Sequence, residues 1–172
     1  MIQFRVPADA DVWPMGEQVM TMSRDPFELG RFFPYQLAVL AERVSLAVSQ
    51  LYAGRFDISR VEWRVLAALG THSGMAAKDI APYSALDKMQ VSRAVARLEE
   101  EGFIERREDA ADRRAKILDL TPAGRALFQK IVPLVRARED YLLGTLDADE
   151  RLMLDRIMKK ILMRAEGLIE RG

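Results

Sequence analysis

"IERREDAADRRAKILDLT", residues 104 to 121, holds two short runs with apolar residues on either side of the turn Asp109-Ala110-Ala111-Asp112. Hairpins buried in a protein favour apolar alternation and tight turn residues such as Asn-Gly. Here five charged residues, Glu105 to Asp109, precede the turn, and three cations, Arg113, Arg114 and Lys116, follow it. The tip is expected to face something other than a core, and the preceding segment decides what.

That segment is a helix with two faces. Asp87 suits an N-cap, Gly102 a left-handed terminator, and the spacing predicts a helix from Lys88 to Glu101. Val91, Ala94, Val95 and Leu98 form the buried stripe, while Lys88, Gln90, Arg93 and Arg97 share the opposite face. From Lys88 to Arg97 there are three cations and no carboxylate, and Glu99, Glu100 and Glu101 crowd the far end. A lone helix prefers the reverse order by a few tenths to about 1 kcal/mol, so an outside partner selects the cations.

Further upstream, Ser59-Arg60-Val61-Glu62 matches a capping box opening a helix over 60–70, with Val61, Val65, Leu66 and Leu69 on one face. A short element follows at Ala77 to Tyr83, which Pro82 is expected to distort or end. A helix-turn-helix followed by a two-stranded hairpin is a winged helix, which sets its second helix in the DNA major groove with the hairpin tip beside it. Gln90 can read adenine, Arg93 guanine, Ser92 a base edge or a phosphate, and Lys88 and Arg97 suit phosphates. Arg113, on the tip, can enter a narrow A/T minor groove. The hairpin would then be charged because its partner is a phosphate-lined groove. The competing reading, a solvated tip whose Arg and Asp pair with each other, loses ground because a cationic helix precedes it.

Long helices flank this unit. After Phe33-Pro34 a helical period runs through Leu37, Leu40, Val44, Ala47, Val48 and Leu51, ending near Gly54. Thr121-Pro122 starts another helix towards Leu146, bent at Pro133, and Asp147-Ala148-Asp149-Glu150 caps a final one carrying Leu154, Ile157, Met158, Ile161, Leu162, Leu168 and Ile169. These helices are too apolar to stand alone, and an isologous dimer is the commonest answer. The expected fold is mainly α with a small β wing. It divides into an arm at 1–30, a dimerisation helix at 31–57, a winged helix-turn-helix DNA-binding domain at 58–121 and C-terminal dimerisation helices at 122–172.

The run "LDKMQVSRAVARLEEEGFIERREDAADRRAKILDLTPAGRALF" resembles the multiple antibiotic resistance regulator (MarR) family of winged-helix transcription factors, with the wing pattern Asp109, Asp112, Arg113, Leu120, Thr121 and Gly124. The resemblance covers about residues 30 to 170. It implies a homodimer on a pseudo-palindromic operator in double-stranded DNA, with Arg113 in the minor groove, Asp112 orienting it and Arg114 beside it. Met89 stands where the family commonly has a small polar residue, and either touches a thymine methyl or packs against the protein. Family members often respond to small aromatic acids or their thioesters, bound between the dimer helices and the winged-helix lobe. Here Arg31, Phe33, Tyr35 and Trp63 are the candidate ligand contacts, an arginine among rings able to hold a carboxylate. Against this, Trp63 and Phe33 read as plain core and Arg31 as a surface cation.

Composition narrows the alternatives. The 172 residues include no cysteine and one histidine, His72, which removes thiol switches, thiolate zinc sites and His-rich metal sensing. Lys and Arg together number 26, as do Asp and Glu, so net charge is zero and any nucleic-acid affinity must come from local clustering. No apolar run approaches the roughly 18 residues that span a bilayer, and the start lacks a signal peptide's apolar stretch. No cofactor, no membrane partner and a cytoplasmic location are expected. An enzyme is disfavoured, since no glycine-rich phosphate loop, metal spacing or nucleophile-base pair occurs. A dimeric DNA-binding regulator, more often a repressor, leads. A winged helix used only for protein contacts is the alternative.

Overall fold

The computed structural model describes residues 27–108 and 116–171. The chain forms a short N-terminal unit ending at Leu37 and a larger one from Ala38. In the first, a 3-10 turn at Leu29–Arg31 leads into the opening turn of helix α1 (Phe33–Ser49), whose remainder belongs to the second; Arg31 pairs with Glu28 at 3.2 Å, and Phe27 and Phe32 meet edge to face at 5.4 Å.

α1 stops at Ser49 rather than near Gly54, which corrects the expectation of one long helix. The Ser49 hydroxyl donates to the Leu46 carbonyl at 2.9 Å, and such back-bonding competes with the helical ladder. The chain then turns Tyr52 into the core, 2% exposed, before the single-turn helix α2 (Ala53–Phe56).

The remaining elements are α3 (Arg60–Thr71), α4 (Ala77–Ser84), α5 (Lys88–Glu100), strands β1 (Ile104–Glu108) and β2 (Lys116–Leu120), α6 (Pro122–Leu143) and α7 (Ala148–Ile169). The capping boxes at Ser59/Glu62 and Asp147/Glu150 form as expected, each joining side chain and backbone both ways. Pro82 sits inside α4, whose end comes two residues later where Ala85 takes a left-handed conformation at φ 51°. Pro133 likewise lies within an α6 that is continuous across it. One missing amide in a helix whose neighbours stay bonded is a local loss, and neither proline stops the chain where it occurs.

The core belongs to the helix-turn-helix. Val65, Leu66, Ala68 and Leu69 of α3 pack with Ile80 of α4, Val91, Ala94, Val95 and Leu98 of α5, and Leu127 and Ile131 of α6. The antiparallel hairpin pairs Ile104 with Leu120 and Arg106 with Leu118, and the Leu118 amide reaches past it to the Met75 carbonyl at 2.8 Å. Ile104, Leu118 and Leu120 on one face are buried, seating the hairpin root on the core. By contrast, α7 contains no buried residue: Leu152, Met158, Leu162 and Leu168 are each more than half exposed.

The close approach of α6 to the hairpin root turns on one glycine. A Cβ at Gly124 would drive into the backbone carbonyl oxygen of Phe103, whose own hydrogen bond to the Thr121 amide starts α6. Gly124→Ala is expected to lower unfolding free energy by at least the roughly 1–3 kcal/mol typical of overpacking, read by urea denaturation. Gly30→Ala, with open space around it, serves as the neutral control.

Candidate nucleic-acid interface

The N-terminus of α5 is built by a reciprocal cap. Asp87 Oδ1 accepts the Gln90 amide at 2.7 Å, and Gln90 Oε1 accepts the Asp87 amide at 3.1 Å. Asp87 is legible in the sequence as an N-cap, whereas the role the sequence suggests for Gln90 is reading bases. A bidentate grip on adenine requires that same Oε1, so in the free protein Gln90 is held in a conformation it must leave to read a base.

Lys88, Met89, Gln90, Ser92, Arg93 and Arg97 are all exposed along one side of α5. Met89 is 61% exposed, which corrects the option that it packs against the protein. Among the described residues Lys88 and Arg93 make no ion pair. Arg97 differs: its guanidinium pairs with Asp57 at 2.9 Å and with Glu101 at 3.3 Å. A phosphate at Arg97 has to compete with two carboxylates already in place.

The strands answer much of the hairpin's charge. Arg106 grips Glu99 of α5 with two parallel bonds, Nε to Oε1 at 2.7 Å and Nη2 to Oε2 at 2.8 Å. The Glu99 carboxylate raises the guanidinium's proton affinity further. Arg107 donates to Asp119 and lies 3.6 Å from Glu105, and Lys116 bonds Glu108 at 3.2 Å. Asp119, only 5% exposed, also accepts the Leu120 amide at 2.9 Å and faces Arg125 of α6 at 3.9 Å. The reading that a phosphate-lined groove explains the hairpin's charge is thereby corrected for the strands, whose charges serve the protein itself. Asp112, Arg113 and Arg114 lie outside the described residues.

Sequence reasoning missed Glu99, Arg106, Arg107, Asp119 and Arg125 as a set. The signal available was the run of charges on a two-residue period beside apolar partners, Arg106 continuing the face of buried Ile104 and Asp119 lying between buried Leu118 and Leu120.

Of the candidate ligand contacts, Arg31, Phe33 and Tyr35 lie within five residues at the entry to α1, Arg31 in its pair with Glu28. Trp63, on α3, stacks on Phe128 with centroids 6.0 Å apart and tilts over Tyr52 at 5.5 Å. The other side of α3 opens on a cleft of about 300 Å³ lined by Ala38, Ala41, Glu42 and Ser45 of α1, Arg60, Val61 and Arg64 of α3, Ala85 and Leu86, and Gln90. Within it Arg60 bonds Glu42 at 2.8 Å, holding that carboxyl below the ordinary carboxylate range, while Arg64 makes only a 3.5 Å bond to the Ala85 carbonyl. Among the described residues no cluster of acidic and histidine side chains is placed to hold a metal, and no helix is long and apolar enough to cross a membrane.

A helix-turn-helix with a cationic second helix and a two-stranded wing defines a winged-helix protein. Residues 56–115 match the model of the MarR family. The repressor NicR of Pseudomonas putida is 26% identical over 116 residues, 67% of this chain and 73% of that one. A MarR/EmrR family transcriptional regulator from Acinetobacter sp. ADP1 superposes with a TM-score of 0.76 at 29% identity, covering 82% of this chain and 99% of that one. The Bordetella bronchiseptica protein BpsR, whose DNA binding is regulated by 6-hydroxynicotinic acid, superposes at 0.70 with 24% identity over 80% of this chain and 97% of that one. In sequence over residues 56–115 and in fold, the chain is similar to the MarR family of winged-helix transcriptional regulators.

Removing the partner of a buried carboxylate leaves a desolvated charge. Arg107→Leu is expected to destabilise the fold by about 1–3 kcal/mol in a denaturant titration, and the double variant Arg107→Leu/Asp119→Leu to recover part of that loss.

Proposed function

We propose that this protein is a homodimeric, sequence-specific DNA-binding regulator, acting as a repressor that a small aromatic acid or its thioester releases. The observation that carries the reading is the exposed side of α5, where Lys88 and Arg93 stand without a carboxylate partner among the described residues, beside the wing. A helix evolved for protein contact would show aromatic or aliphatic anchors there, and Met89 is the one large apolar side chain on it. In this reading Arg93 and Gln90 meet bases, Met89 a thymine methyl, and Lys88, Ser92 and Arg97 phosphates, with Arg113 in the minor groove, oriented by Asp112 and flanked by Arg114.

The dimer is supported by apolar surface. Leu154, Ile157, Met158, Ile161 and Leu162 recur at helical spacing along α7, all exposed, and Leu40, Val44 and Leu46 are exposed on α1. A second copy covers such faces in an isologous interface and sets two recognition helices on successive turns of DNA. Release by an acid fits Arg64, whose guanidinium faces the cleft with no ion pair among the described residues. Arg60 is already tied to Glu42, whose carboxyl it holds below the ordinary carboxylate range. Arg31, Phe33 and Tyr35 are the other candidate contacts, and Trp63 a spectroscopic reporter of the lobe. A ligand acts only by its preference for one lobe arrangement over another.

Selection of bound duplexes from a random pool by the purified protein, at near-physiological salt, tests the reading. A two-fold symmetric site with half-sites about one helical turn apart is expected. An intact dimer that enriches no sequence, with or without aromatic acids, would leave the protein-contact reading instead. On the selected site, Arg93→Ala is expected to cost on the order of 1–3 kcal/mol and to relax preference at one position, whereas Arg97→Ala costs less and acts on all sequences alike. Arg64→Ala is expected to abolish release by an acid that frees the wild-type protein from DNA, measured by fluorescence anisotropy.

A further inference from the structure

The hairpin has two faces, and each is tied to a different helix. Ile104 and Arg106 point to one side, and the apolar part of that side ends with Ile104, Leu118 and Leu120 in the core. Directly across the ribbon from buried Leu118, Arg106 holds Glu99 on the last turn of α5 with two parallel bonds. On the opposite face Arg107 holds Asp119, which also faces Arg125 of α6.

A two-stranded ribbon is marginal by itself and twists easily, so its direction beyond the core is set by whatever grips it. A planar guanidinium bonded twice to a carboxylate fixes angle as well as distance, which a single contact or a lysine does not. Glu99 is 28% exposed, less open to water than the ordinary surface carboxylate. It also sits where a helix dipole disfavours an acid, so its place is explained by its partner rather than by α5.

We propose that Arg106 and Glu99 form a positioning clamp that sets the spacing between the recognition helix and the wing, and thereby decides how strongly the flanks of a DNA site are read relative to its centre. The proposal rests on the DNA-binding reading above. Neither residue touches DNA in it. The clamp fixes where the wing enters the minor groove while α5 lies in the major groove.

The test uses the full-length protein with Glu99→Gln, Arg106→Gln, Arg106→Lys and the charge swap Glu99→Arg/Arg106→Glu. Each is profiled on the wild-type site and on variants altered at either the central or the flanking base pairs. Loss of the clamp is expected to reduce flank discrimination roughly five- to tenfold while central discrimination stays within about twofold, since coupled contacts carry energies of this order. Arg106→Lys should behave as a broken clamp although it keeps the charge, and the swap should restore flank discrimination at least in part. Equal loss at centre and flanks, or unchanged discrimination in all four variants, would overturn the clamp. Should Arg106→Gln fail to fold, Arg106→Lys carries the same comparison. If the wild-type protein enriches no site at all, it is the DNA-binding reading that fails.

Discussion

The packing of α5 on α3 is the constraint from which the other arrangements follow. Val91, Ala94, Val95 and Leu98 are each buried against the core of the lobe, and four side chains at helical spacing occupy one whole side of α5. At about 25 cal/mol per Å² of apolar surface removed from water, that seam stabilises α5 against the lobe. It also fixes the rotation of the helix about its axis. Once those positions face inward, Lys88, Ser92 and Arg93 have no choice but to face outward, and Gly102 at φ 73° turns the chain straight into the hairpin.

Electrostatics then divides the labour among the cations. Arg97, Arg106 and Arg107 are spent on the protein's own carboxylates, while Lys88 and Arg93, near the start of α5, are left to solvent among the described residues. Exposed ion pairs contribute little to stability, commonly below 1 kcal/mol, so the worth of Arg106 with Glu99 lies in geometry. The Arg107 and Asp119 pair is different, because Asp119 is buried and its charge would be costly without a partner.

Local features were legible in the sequence because their causes are local. Ser59 with Glu62, Asp147 with Glu150 and Asp87 at the head of α5 are contacts across three residues, and the apolar stripes of α3 and α5 repeat within two turns. The break in α1 was not legible, since beside the local bond from Ser49 to Leu46 it accompanies the burial of Tyr52 in a core assembled by residues far along the chain. The two ties of the hairpin were missed for a related reason. Arg106 meets Glu99 only after the chain reverses at Gly102, and Arg107 meets Asp119 only through strand register. A run of alternating charge looks the same whether its partners are phosphates or neighbours. Gln90 shows the converse: its amide suits both a cap and a base, and the cap is what the free chain forms.

The division of charges bears on how such a protein finds a site. Sequence-independent affinity grows with the number of phosphates neutralised, and each released counterion steepens the salt dependence. With Arg97 already paired and net charge zero, α5 in the proposed reading would bring two uncommitted cations to a backbone that rewards many. Weak general attraction leaves a larger share of the binding energy to contacts that depend on sequence: base edges met from α5 and groove shape met from the wing. Those contacts demand register. In the proposed reading, a DNA reader with few phosphate anchors depends more than a strongly basic one on a rigid relation between its helix and its wing, and the bonded pair of Arg106 and Glu99 is suited to supply it.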